Sequence, residues 1–167
     1  MIGVVVFAAA LVVQRLVELR ISARHATLLR ARGAVEHGRG HYPLLVLVHT
    51  LLPLGMIAEA WFLDARPGAL WPLWALLFAL AQGLRYAAIR ALGQFWNVRV
   101  LVVPGAGLVR TGPYRWLKHP NYVAVVIELI AAPMLIGAWR TALVVTALNA
   151  VALTLRIRCE ERALEAA

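Results

Sequence analysis

Leu108 to Glu128 read LVRTGPYRWLKHPNYVAVVIE, a basic, turn-rich segment that passes through His119-Pro120 straight into an apolar helix. Proline has a fixed φ and no N–H, which suits the first position of a helix. His119 therefore stands at a helix mouth, with Asn121 and Tyr122 in the first turn. Polar and aromatic side chains converge there at one depth, and almost everything outward from this point is apolar helix.

The 167 residues are 62% hydrophobic, with mean hydropathy +0.76 and a net charge of +9. That combination excludes an ordinary water-soluble domain and points to a membrane protein. The arginines fall in short segments between apolar runs, not on one soluble face, so they read as topology signals and headgroup contacts and not as a nucleic-acid surface. Cys159 is the only cysteine, which excludes a disulfide framework within one chain. The first apolar segment lacks a basic leader and a cleavage site and is read as a retained span.

A bilayer core of about 30 Å takes roughly 20 helical residues to cross. Five runs approach that length: Ile2 to Leu19, Pro43 to Leu63, Leu70 to Ile89, Asn121 to Ile136 and Thr141 to Leu155. The expected fold is all-α, a bundle of five transmembrane helices forming one domain over 1–167, with a long cytoplasmic loop between the third and fourth helices. Arg20, Arg24, Arg30, Arg32 and Arg39 follow the first run, and Arg90, Arg99, Arg110, Arg115 and Lys118 follow the third. Arg158 and Arg162 follow the fifth, while only Arg66 and Arg140 lie on the opposite side. The positive-inside rule then places the N-terminus outside and the C-terminus in the cytoplasm. Two outer connections, Asp64 to Ala69 and Gly137 to Arg140, are tight turns. The inner segment Gly93 to Lys118 is long, contains an alternating β-like run from Val98 to Val103, and is expected to fold over a pocket.

The last span carries the second half of the pattern. At about 100° per residue, Asn149, Arg156 and Glu160 share one helix face. Ionisable residues inside spans need partners: Arg15 and Glu18 stand three apart, Glu59 and His49 lie in the second run, and Glu128 follows Asn121 on nearly the same face. Arg15 and Glu18 read as a structural ion pair. Glu128 either meets a substrate headgroup or ties its helix to Arg15, and His49 reads as an interhelical hydrogen-bonder. The five histidines have no metal-ligand spacing, and Pro104-Gly105-Ala106-Gly107 lacks the Lys-Ser/Thr of a phosphate loop. The tryptophans read as an interfacial belt, except Trp96 and Trp116 in the inner loop.

Taken together, Leu92-Gly93 with Trp96, Leu108-Val109 with Gly112-Pro113-Tyr114-Arg115, Lys118-His119-Pro120-Asn121-Tyr122, and Arg156-Ile157 with Glu160-Glu161 resemble the isoprenylcysteine carboxyl methyltransferase family. That family comprises integral-membrane, S-adenosylmethionine-dependent methyltransferases. The compact length and the RLVEL run at Arg15 to Leu19 are similar to small bacterial members acting as alkylpyrone or alkylresorcinol O-methyltransferases.

The resemblance implies a cofactor-binding half over about 92–167. In it Gly112, Tyr114, His119, Pro120, Tyr122 and Glu160 bind S-adenosylmethionine, which leaves as S-adenosylhomocysteine. It also implies that Arg156 and Glu160 are catalytic, and Asn149, Glu128 and Trp96 are the candidate acceptor-side residues. Ala124, where the family commonly has Gly, and Lys118, where Arg is commoner, depart from its pattern. The implied substrate is a lipid-tailed acid or acidic hydroxyl reached in the bacterial inner membrane, with membrane lipids as surroundings. Two alternatives stay open: N-methylation of a phospholipid amine, with Glu59 or Glu128 holding the ammonium, and a non-catalytic helical membrane protein.

Overall fold

The chain is described over residues 1–166 by a computed structural model, with Arg39 described by its backbone alone. Five helices carry the architecture: α1 (Ile2–Ala31), α2 (Tyr42–Phe62), α3 (Trp71–Leu92), α4 (Pro120–Leu135) and α5 (Trp139–Glu165). Two short strands, β1 (Val35–His37) and β2 (Val100–Val102), pair antiparallel with Glu36 opposite Leu101. They join the α1–α2 and α3–α4 connections at one end of the bundle, called here the sheet end.

Four helices, α1, α2, α3 and α5, are long and apolar enough to cross a membrane. Helix α4 has 16 residues, about 24 Å at 1.5 Å per residue, and falls short of a full core thickness. It is nonetheless the enclosed centre: nine of its 16 residues are buried, against three of the 22 in α3. Helix α1 does not stop near Leu19 but continues to Ala31, about 45 Å in all. No helix breaker intervenes, so its arginine-bearing end extends past the apolar run and reaches the strands. The alternating run near Val98 yields a strand only at Val100–Val102, and its partner β1 carries no such alternation in sequence.

The bundle is apolar outside as well as inside. Val6, Val13, Leu76, Leu80, Leu143 and Val151 are exposed on the outer faces, as a hydrocarbon environment permits. The core is formed by Leu11, Val48, Leu52, Met56, Val125, Leu129, Ile136 and Val145. Helices α3 and α4 face one another through buried alanines: Ala81 and Ala88 flank Arg85, while Ala124 and Ala131 flank Glu128. Small residues let the backbones approach, and Arg85 and Glu128 then pair between them.

That pair belongs to a charge-balanced quartet. Arg15 reaches Glu18 at 2.6 Å and Glu128 at 3.7 Å, and Arg85 reaches Glu18 at 3.2 Å. Two guanidinium groups and two carboxylates thus tie α1, α3 and α4, which is the condition for charge to persist among apolar helices.

At the opposite end, Glu59 of α2 accepts hydrogen bonds from the backbone N–H of Arg140 and of Thr141, and from the Thr141 hydroxyl at 2.8 Å. It caps α5 from another helix, placing a carboxylate at the positive end of that helix's dipole. Gly137 turns α4 into α5 at φ +79°, and a side chain there would strike the Arg66 carbonyl. Trp61, Trp71 and Trp139 are exposed at this end, in keeping with an interfacial belt.

Candidate active site

Helix α4 opens at the sheet end with Pro120 at its first position, so His119 and Tyr122 lie side by side at its mouth. Their rings stack with centroids 5.1 Å apart. The Tyr122 hydroxyl donates to the Glu160 carboxylate and accepts from Arg156 Nε at 2.7 Å. His119 Nε2 lies 3.3 Å from Glu161. The shared face read along α5 therefore meets the first turn of α4, one tyrosine oxygen linking a carboxylate to a guanidinium.

The connection preceding α4 closes around this cluster. Gly112 adopts φ +55° and lies so close to α3 that a Cβ would come within 3.0 Å of Ala91. This seats the helical turn Gly112–Arg115 against the end of α3. Burial pushes the Tyr114 phenol well above its ordinary pKa, and the nearby Glu160 charge adds to the rise. Tyr114 thus lies within electrostatic reach of the carboxylate that Tyr122 bonds. His41, from the α1–α2 connection, joins from below: burial lowers its pKa, Arg156 lowers it further and Glu160 opposes. Nothing in the sequence marked it, because its approach depends on β1 bringing that connection under α5.

Arg156 is engaged on three sides. Besides Tyr122, it donates to the backbone carbonyls of Val98 and, at 3.2 Å, Asn97. The same segment is tied to α1, since Ser22 Oγ donates to Asn97 Oδ1 at 2.9 Å and accepts the Val98 N–H at 3.0 Å. Asn97 Nδ2 returns a bond to the Ser22 carbonyl, and His25 Nδ1 meets the Trp96 carbonyl at 2.8 Å. Arg156 is thus a strut between α4, α5 and the 96–99 segment. Ser22, His25 and Asn97 had no sequence signal beyond their polarity.

Behind that strut lies a cavity of about 360 Å³ among α1, α2, α4, α5 and the 96–98 segment, with Arg85 of α3 also in its lining. Tyr122, Arg156, Asn149 and Trp96 line it, while Glu128 does not and is held by Arg15 and Arg85. Gly112, Tyr114, His119, Pro120 and Glu160 lie outside its lining, so the candidate residues divide into two groups meeting at the Tyr122–Arg156 wall. Leu16, Val46 and Leu54 line the cavity yet are 53%, 47% and 58% exposed, so it opens sideways between α1 and α2. A further hollow of about 490 Å³ along α5, lined by His37, Arg158 and Arg162, shares no residue with either group. Among the described residues no group of His, Cys, Asp and Glu side chains is placed to hold a metal ion.

Comparison with known proteins bears on this arrangement. The model of the isoprenylcysteine carboxyl methyltransferase (ICMT) family matches residues 74–166, which takes in most of α3, all of α4 and α5 and the whole connection around the cluster. The uncharacterized protein YpbQ of Bacillus subtilis is 40% identical over 157 residues, 94% of each chain. An uncharacterized protein of Haemophilus influenzae is 31% identical over 153 residues, covering 90% of this chain and 88% of its own.

Proposed function

We infer the function from one premise: this chain belongs to the isoprenylcysteine carboxyl methyltransferase family. Membership makes it a membrane methyltransferase of a family whose members depend on S-adenosylmethionine. The proposal for this chain is an S-adenosylmethionine-dependent O-methyltransferase that acts on a lipid-tailed acid or acidic hydroxyl, of the alkylpyrone or phenolic-lipid kind. The arginine-rich sheet end is assigned to the cytoplasm of a bacterial cell and the N-terminus to the outside.

The observation that carries the reading is the Tyr122–Arg156 pair, which divides a polar cluster at the sheet end from a cavity open toward lipid. The donor set at the cluster fits a nucleoside bearing an ammonium and a sulfonium. Glu160 and Glu161 offer carboxylates to cationic groups, the His119 ring stacked on Tyr122 offers its outer π face, and Tyr114 offers a hydroxyl. When bound, S-adenosylmethionine supplies an electrophilic methyl group. Gly112 and Pro120 set the backbone around it.

Arg156 positions Tyr122 and the 96–99 segment at the boundary between the two groups of residues, where donor methyl and acceptor oxygen would have to meet. Holding donor and acceptor in line is worth about 7 to 11 kcal/mol in well-aligned reactions. A lipidic acceptor enters between α1 and α2 without leaving the bilayer. N-methylation of an ammonium head is disfavoured, because Glu59 is spent capping α5 and Glu128 is paired with arginines.

The test is equilibrium binding of S-adenosylmethionine to detergent-purified protein, followed by transfer of labelled methyl to alkylpyrones, alkylresorcinols, prenylcysteine analogues and phosphatidylethanolamine. Micromolar donor binding with an O-methylated lipid product supports the reading. Folded protein that binds no donor at millimolar concentration refutes it.

A further inference from the structure

The hollow of about 490 Å³ along α5 belongs to neither group of candidate residues. At 100° per residue, Val144, Val151, Leu155, Arg158 and Arg162 fall within about 60° of one another on that helix, on the side away from Arg156 and Glu160. Val144, Val151 and Leu155 are exposed, as residues facing hydrocarbon are. The same stripe turns basic at Arg158, and Leu155, Arg158 and Arg162 line the hollow.

The change falls at a definite depth. Helix α5 begins at Trp139, in the aromatic belt of the opposite end. Measured from there at 1.5 Å per residue, Leu155 lies about 24 Å along the helix, Arg158 about 29 Å and Arg162 about 35 Å, against a bilayer core of about 30 Å. The two arginines therefore straddle the plane where hydrocarbon gives way to headgroups.

Other arginines of the sheet end are engaged: Arg30 and Arg99 hold Glu36, and Arg156 holds Tyr122. Among the described residues, Arg158 and Arg162 have no hydrogen bond, ion pair or ring contact. Glu161, three residues on from Arg158, is turned to His119 instead. The facing wall comes from the end of β1, where His37 lines the hollow. Gly38 packs so closely on α5 that a side chain there would strike the Cys159 sulfur. Ala163 and Cys159 complete a lining that holds no carboxylate.

We propose that this hollow binds one anionic phospholipid of the sheet-end leaflet, its phosphate held among Arg158, Arg162 and His37 and an acyl chain lying along Leu155 and Val151. Guanidinium forks match phosphate oxygens, and an imidazole donates an N–H in either tautomer. A zwitterionic head would bring its ammonium beside two guanidinium groups with no carboxylate to receive it. Free phosphate would gain nothing from the apolar part of the stripe. The site is separate from the donor cluster and from the acceptor cavity, so it stands whether or not the chain transfers methyl groups.

Cys159, the only cysteine and part of the lining, reports occupancy directly. The full chain, delipidated in a neutral detergent, is titrated with short-chain phosphatidylglycerol, short-chain phosphatidylcholine or inorganic phosphate, and the rate of alkylation by N-ethylmaleimide is followed. Phosphatidylglycerol is expected to slow alkylation severalfold and saturably, while the other two leave it unchanged. The double variant Arg158→Gln, Arg162→Gln, checked for folding by size exclusion and thermal unfolding, should need about tenfold or more phosphatidylglycerol for half-protection. Native mass spectrometry should count one phosphatidylglycerol retained by the wild type and lost from the variant. Equal protection by phosphatidylcholine, protection by inorganic phosphate alone, or unchanged protection in the folded variant overturns the proposal. If the variant does not fold, the wild-type ranking of the three ligands decides; if Cys159 resists alkylation throughout, the retained-lipid count decides, and no retained phosphatidylglycerol refutes the site.

Discussion

Replacing Arg156 by lysine separates two roles that a positive charge at this position can have. In the structure its guanidinium donates to Tyr122 Oη, to the Val98 carbonyl and to the Asn97 carbonyl, which lie on α4 and on the 96–99 segment. A lysine ammonium keeps the charge but, as a compact group, cannot span three acceptors set in different directions. If it keeps one of the three, two charge-assisted bonds are lost at about 1.5 to 3 kcal/mol each, or about 3 to 6 kcal/mol together.

The 96–99 segment should feel this directly, because opening it then costs less by that amount. At 1.4 kcal/mol per decade, amide exchange at Val98 and Arg99, whose N–H groups bond Ser22 Oγ and Asn97 Oδ1, should accelerate roughly 10² to 10⁴-fold. Hydrogen–deuterium exchange read by mass spectrometry on the peptide covering these residues makes the measurement in detergent or nanodiscs. Turnover should fall with it. Unchanged exchange in Arg156→Lys, alongside collapsed turnover, refutes the strut and returns Arg156 to direct contact with the acceptor's charge.

The other expectations concern stability and pH. Arg85→Met leaves one guanidinium against Glu18 and Glu128, a net buried −1, and should cost about 3 to 5 kcal/mol. Adding Glu128→Gln restores neutrality and should recover most of that loss, so equal thermal stability of the single and double variants would contradict the quartet. Glu59→Ala removes the cap from α5 and should cost about 2 kcal/mol, lowering the melting temperature by about 4 to 8 °C. Donor binding at the far end should be unaffected, and a matching loss there would show that the two ends are coupled. Tyr114 holds its proton above the ordinary value of 10.0, whereas the unfolded chain releases it there. Above that pH the folded state binds more protons than the unfolded, so stability should decline as pH rises. Tyr114→Phe should flatten the decline, and an unchanged alkaline slope would argue against a buried phenol.

The sequence by itself determined the membrane class, the helical runs, the tight turns opposite a long connection, and the motif set around Pro120 and the α5 face. These depend on local chemistry: apolar length, proline at a helix start, and 3.6-residue spacing that puts Asn149, Arg156 and Glu160 on one side. The structure joins that face to Tyr122 through one hydroxyl, a meeting that periodicity anticipates but does not supply.

Only tertiary structure decided the rest. Arg85 is one arginine among many until α3 and α4 close over their alanines and bring it against Glu128. His41 and Ser22 acquire roles because β1 and β2 pair residues more than sixty positions apart, drawing two connections under α5. His49 reads in sequence as an interhelical hydrogen-bonder, yet in the fold its Nδ1 donates to the Leu45 carbonyl of its own helix and its Nε2 is buried without a hydrogen-bond partner among the described residues. Spacing along one helix is written in the chain, but which atom is left unpaired depends on what other helices bring beside it.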